Sequence, residues 1–209
     1  MKIAVVAANG AAGQHIVEEA VNRGHEVTAF VRSENKSKAQ NVVVKDLYEI
    51  TSDDLKGFDV VVDAFGNFNM DQLDQHSTSL IHLADQLSHA QARLLVVGGA
   101  GSLYTDKSEE LQVKDEAAFP DIFRPLAQAM SDALDLLRKR TDVKWTYLSP
   151  AEDFDAEGPR TGSYVLAGEV REFNSKGKSY ISYADYAIAM NDLAEKANHI
   201  HERVSVYTA

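Results

Sequence analysis

Two glycines near the start of the chain carry the clearest chemical signal. In Ala7-Ala8-Asn9-Gly10-Ala11-Ala12-Gly13 an apolar run gives way to a glycine-containing loop and then to a helical pattern. Gly10 allows a turn that a Cβ would obstruct, and Gly13 lets the helix pack closely on the sheet. The helix N-terminus then offers unpaired N–H groups and a positive dipole end to a pyrophosphate. Ala7 occupies the first position of the expected Gly-x-x-Gly-x-x-Gly, so a tight turn in some other α/β protein is the competing reading. Farther along, Ser102 and Tyr104 follow the glycine-rich Gly98–Gly101, where they would orient a substrate by hydrogen bonding or be plain loop residues. His76, His82 and His89 are spaced so that they do not share one helical face, and His199 and His201 sit in a polar segment; no metal site is expected. The chain has no cysteine, which excludes a thiol nucleophile, disulfides, iron–sulfur clusters and Cys-type zinc sites.

The elements that must position these residues follow from patterning. Ile3–Ala8 is a short, β-branched-rich run of the kind buried on both faces of a sheet. Ile16, Val17, Ala20 and Val21 form one helical stripe that Gly24 closes, and Glu26–Val31 is a second strand, completing a β-α-β unit. Further strands are read at Asn41–Val44, Phe58–Ala64, Arg93–Val97, Lys144–Leu148 and Val204–Tyr207. The helices between and after them are marked by Leu80, Leu83, Ala84 and Leu87, by Leu126, Met130, Leu134 and Leu137 behind Pro125, and by Tyr183–Lys196 with Ser182 as its cap. Strands alternating with helices imply an α/β fold, a Rossmann-type doubly wound parallel sheet with a small C-terminal substrate or lid region. Without repeats or linkers, residues 1–209 read as one domain, with loops 66–75 and 151–168 on the substrate side.

Composition narrows the function classes. The 209 residues are 44% apolar and 25% charged, as in an ordinary globular domain. A net charge of −11 with no basic patch argues against nucleic-acid and membrane-surface partners. No apolar run reaches the length of a membrane span, and Ile3–Ala8 is too short for a signal peptide's core, so a cytoplasmic protein is expected.

The chain resembles the atypical or extended short-chain dehydrogenase/reductase superfamily, specifically the NmrA-like NAD(P)-binding proteins of the NADH-flavin reductase group. The resemblance rests on Ala7–Gly13, Gly24–Arg32, Asp59–Gly66, Leu94–Ser102, Trp145–Phe154 and Arg160-Thr161-Gly162-x-Tyr164, and so covers nearly the whole chain. It implies that Ala8, Asn9, Gly10, Ala11, Ala12 and Gly13 hold the diphosphate and that Asp46 and Leu47 flank the adenine, unless Asp46 is a plain loop carboxylate. Ala64, Phe65 and Gly66 would pass beside the ribose and diphosphate, Gly99 would let the backbone approach the cofactor, and Ser149 and Pro150 would lie near the nicotinamide, unless Pro150 simply ends the strand. NAD-preferring relatives carry an acidic residue at the end of strand two; Arg32 there would pair with a 2′-phosphate and favour NADP, with nearby Glu34 keeping NAD open.

Most dehydrogenases of that superfamily use a Tyr-x-x-x-Lys pair as proton donor. Here no tyrosine has a lysine four positions on, and Phe119 and Phe123 stand where the pair is expected. A flavin or quinone acceptor tolerates the loss, because its reduced form takes a proton from water. The expectation is therefore NADPH-dependent reduction of a flavin or quinone-like small molecule, under the loops that carry Phe65, Phe68 and Phe154. The alternative is a catalytically silent NADP(H)-binding regulator of NmrA-like type. A sugar-nucleotide epimerase fits poorly, since 209 residues leave little room for its substrate domain. Oligomeric state is left open, a homodimer among the options.

Overall fold

The computed structural model describes every residue from Met1 to Ala209. Strand β1 (Lys2–Val6) shows why the opening run needs no polar alternation: Ile3 and Val5 enter one buried cluster and Ala4 and Val6 another, on opposite faces of the same strand. Helix α1 (Ala11–Asn22) follows, and Gly24 at φ +80° leads the chain out of it into β2 (Glu26–Val31). The remaining main elements are β3 (Asn41–Val44), β4 (Val60–Asp63), α2 (Gln75–Gln86), β5 (Arg93–Val97), α3 (Arg124–Leu137) and β6 (Lys144–Pro150). They are followed by β7 (Asp153–Asp155), β8 (Val165–Ala167), β9 (Tyr180–Ser182), α4 (Tyr183–Lys196) and β10 (Glu202–Tyr207).

Eight strands form one sheet in the order β3-β2-β1-β4-β5-β6-β10-β8, parallel except where β8 runs antiparallel to β10. β7 and β9 pair parallel in a small second sheet. One face of the main sheet is covered by α1 and α4, whose Ile16, Val17, Ala187 and Leu193 share a cluster with Val5, Val62 and Leu148. The other is covered by α2 and α3 through Leu80, Leu83, Leu134 and Leu137. This is the doubly wound α/β arrangement that the strand–helix alternation implies. Strand order reverses between β1 and β4, and the crevice beyond the carboxyl ends there is where such folds bind ligands.

Several boundaries differ from the sequence reading. β4 is Val60–Asp63 rather than Phe58–Ala64, because Asp59 is spent at the strand's edge, its carboxylate accepting from Lys2 N at 2.7 Å. β6 continues through Ser149 and Pro150, paired with Ser205 and Val206. β7, β8 and β9 have three residues each, too short for a period to show.

The Arg160–Tyr164 motif turns out to be an anchor. Arg160 pairs with Glu19 of α1 at 3.1 Å, buried Asp185 of α4 accepts from the N–H groups of Thr161 and Gly162 at 2.9 Å, and Tyr164 donates to Asp192 at 2.6 Å. Residues 160–164 are thereby held against α1 and α4.

Candidate functional site

A cavity of about 1150 Å³ runs across the carboxyl ends of the strands. β2 and β6 stand four positions apart in the sheet, so its two ends are roughly 19 Å apart at about 4.8 Å per strand. Its length suits an extended ligand.

The floor at the centre is the loop between β1 and α1. The left-handed turn lies at Ala7, φ +58°, the position of the pattern's first glycine, rather than at Gly10, which is extended with φ −65° and ψ 157°. Gly13 is needed for close packing, since a Cβ there would sit 2.9 Å from Ala7 O and 3.0 Å from Ala8 Cα. No side chain caps α1, so its first N–H groups, at cavity-lining Ala11 and Ala12, are free for an anion. Asn9 braces the loop: its amide donates to Glu34 O at 2.9 Å and its Oδ1 accepts from Lys36 N at 2.7 Å.

At the β2–β3 end, Arg32 lines the cavity with its side chain exposed. It is the only arginine with neither an ion pair nor a side-chain hydrogen bond; every other one is engaged. Neighbouring Lys45 is already paired with Asp54 at 2.7 Å. The Asp46 carboxylate caps a short 3₁₀ turn, accepting from Tyr48 N at 3.0 Å, and so shapes the wall that Leu47 lines.

At the β5–β6 end the lining includes Gly98, Gly99, Ser102, Pro150, Ala151, Glu152 and Phe154. The glycine turn there serves the protein's own packing, because a Cβ on Gly98 would lie 2.2 Å from the buried ring of Tyr147. Phe154 stacks on Tyr183 with centroids 4.0 Å apart. Ala64, Phe65, Gly66 and Phe68 close the side, and Phe65 meets buried His76 edge-on at 5.6 Å. Burial lowers the His76 pKa, which leaves it neutral at pH 7, with Nε2 2.9 Å from Asn67 O. Behind this wall burial raises the Asp63 carboxyl to about 6 and the Tyr147 phenol to about 12.

Of the residues singled out in the sequence, Asn9, Gly10, Ala11, Ala12, Arg32, Asp46, Leu47, Ala64, Phe65, Gly66, Gly99, Pro150 and Ser102 all line this one cavity. Ala8, Gly13 and Ser149 do not. They are buried behind its surface and shape it by packing, and Ser149 Oγ accepts from Arg203 at 3.3 Å. Tyr104 corrects the sequence reading: it lies outside the lining, its backbone N donating to Glu169 O and its O accepting from Arg171 N. Ser102 does line the cavity, but its Oγ is held by Arg203 at 3.4 Å. Loop 151–168 likewise reaches the cavity only through Ala151, Glu152 and Phe154.

Of the roof, the sequence singles out only Phe119 and Phe123, at the position of the absent Tyr-Lys pair. The roof is formed by residues 113–130, including Glu116, Phe119, Phe123, Leu126 and Met130, with Arg171 beside them. Leu126 and Met130 belong to the apolar stripe of α3, yet only Leu134 and Leu137 at its far end enter the core. The three histidines are dispersed: His82 Nε2 meets Ile50 O at 2.9 Å, far from the His76 contact, and His89 lies beyond the end of α2.

The uncapped helix start, the close-packed Gly13 and the free Arg32 fit a phosphorylated dinucleotide. The model of the NAD(P)H-binding family matches residues 7–196, and the chain belongs to that family. Among individual relatives, the Bacillus subtilis protein YwnB is 44% identical over 99% of this chain and 98% of its own. A solved structure from Streptococcus pneumoniae, of a candidate NADH-flavin reductase, is 55% identical with TM-score 0.98 and full coverage of both chains. A candidate epimerase from Bacteroides thetaiotaomicron is 32% identical with TM-score 0.87, covering 99% of this chain and 96% of that one.

Proposed function

We propose that this protein is an NADPH-dependent oxidoreductase that reduces a flavin or quinone-like acceptor. The observation that carries the cofactor choice is Arg32, an unpaired guanidinium at the end of β2, in the same cavity as the free N-terminus of α1. The diphosphate would rest on the N–H groups of Ala11 and Ala12, the 2′-phosphate would meet Arg32, and Ala64–Gly66 would flank the ribose. Held there, the reduced nicotinamide would supply a hydride, which the acceptor would take up together with one proton from water, giving oxidised nicotinamide and a dihydro acceptor.

The side chains at the acceptor end favour this over carbonyl reduction. The cavity's tyrosines are Tyr48 and Tyr183, and its lysine is Lys45, held by Asp54. No ammonium assists Tyr183, and burial raises its pKa, which makes it a poor proton donor. Phe119, Phe123, Phe154 and Tyr183 instead offer apolar faces to a planar ring and exclude water around it. The resemblance to the Streptococcus pneumoniae protein, named for NADH and flavin, supports the same class of acceptor.

Steady-state assays with NADPH or NADH and a panel of riboflavin, FMN and menadione test the reading. Saturable NADPH oxidation above the protein-free rate is expected with at least one acceptor. Tight NADP(H) binding with a clear preference for one redox form and no turnover would overturn it in favour of a redox-sensing role.

A further inference from the structure

The two ends of the cavity differ in charge. At the β2–β3 end Arg32 is a cation without a partner, beside Lys45, which is paired with Asp54, and Asp46, whose carboxylate caps its own turn. At the acceptor end the charged lining residues are Glu116, Glu152 and Arg171. Arg171 grips Glu116 with both terminal nitrogens, at 2.7 and 3.0 Å, and donates to Glu152 at 3.1 Å. One guanidinium shared by two carboxylates leaves this end with a net charge of about −1 at neutral pH. Arg171 also lies 5.0 Å over the Phe173 ring, so it is fixed rather than free to reach for a ligand. Its unpartnered Nε is buried, so an anion recruiting Arg171 would have to take the terminal nitrogens, breaking the fork with Glu116 and leaving two carboxylates without their counter-ion.

We infer that the acceptor bound at this end is an uncharged planar ring system, a flavin without its phosphate or a neutral quinone, and that Glu116 and Glu152 select against anionic acceptors. This rests on the reading that hydride leaves the cavity for a flavin or quinone. A unit of like charge roughly 10 Å away at an effective dielectric of about 20 changes kcat/KM on the order of tenfold. Because the effect is electrostatic, salt must shrink it.

The test compares kcat/KM at low ionic strength for riboflavin against FMN, and for menadione against a naphthoquinone sulfonate. A preference of about tenfold or more for each uncharged member is expected, narrowing as salt is added. Glu116→Gln and, separately, Glu152→Gln should each reduce that ratio several-fold. Equal or better use of the anionic members, or a ratio unmoved by both substitutions, overturns the inference. Quenching of flavin fluorescence by the NADP-loaded protein gives a second readout, with riboflavin expected to bind tighter than FMN by a similar factor. If no acceptor turns over but that binding preference holds, hydride transfer is refuted and charge selection stands. Equal flavin affinities refute charge selection.

Discussion

Arg32→Ala isolates the cofactor claim. The exposed Arg32 guanidinium has neither a hydrogen bond nor an ion pair to the protein, so its truncation should leave the fold intact. A planar guanidinium on a 2′-phosphate makes up to two charge-assisted hydrogen bonds of about 1.5–3 kcal/mol each at most. The exposed position lets solvent screen them, which brings the pair to roughly 2–3 kcal/mol in all. The expected loss of NADPH affinity is therefore about 30- to 150-fold, with NADH affinity unchanged because NADH lacks the phosphate. Arg32→Glu should go further and reverse the preference, since a carboxylate at this position repels the phosphate and can accept from a free ribose hydroxyl. Titration calorimetry with both dinucleotides reads the ratio directly. Parallel loss for NADPH and NADH, or an unchanged ratio in both variants, refutes the placement of the 2′-phosphate.

Other substitutions probe the scaffold. Asp63 is buried and its folded pKa of about 6 lies above the unfolded value of about 3.9, so its stabilising contribution is complete below about pH 4 and is lost as pH rises through about 6. Asp63→Asn keeps the acceptor for Phe65 N and should stabilise the protein by up to about 3 kcal/mol at pH 8 and by nothing at pH 4; a difference that is flat with pH, measured by chemical denaturation, counts against it. Ala7 sits at φ +58°, and Ala7→Gly should relieve about 1 kcal/mol of strain net of the added chain entropy, seen as a raised Tm. Gly98→Ala drives a methyl into the Tyr147 ring and should cost about 3 kcal/mol or more, whereas a near-unchanged Tm would mean that the ring has room to move.

How much could be read from the sequence depended on how regular each signal was. β1, α1 and β2 were legible because a doubly buried strand, a helical stripe and Gly24 follow one another without interruption. The cavity floor was legible for the same reason: Asn9–Ala12, Arg32 and Ala64–Gly66 all lie at carboxyl ends of strands that patterning places. The roof was not. Arg171 and Glu116 come from irregular segments fifty-odd residues apart, brought together by their ion pair and by the bridges that Tyr104 makes to Gln112 and Val170, none of which leaves a pattern in the sequence. Leu126 and Met130 misled because cavity walls and cores use the same apolar residues, and a helical stripe does not say where one ends and the other begins. The strain at Ala7 was hidden by the expectation that a left-handed turn falls on the glycine beside it.

Hydride transfer inside the cavity is tested most directly with NADPH carrying deuterium on one face or the other of the nicotinamide C4. A dinucleotide anchored by its phosphates at Ala11, Ala12 and Arg32 would present one face of its nicotinamide to the acceptor end. In the presence of protein and menadione, one isotopomer should lose its deuterium and the other should keep it, with saturation in both substrates. Loss from both faces in equal proportion, or consumption at the protein-free rate, would contradict the account.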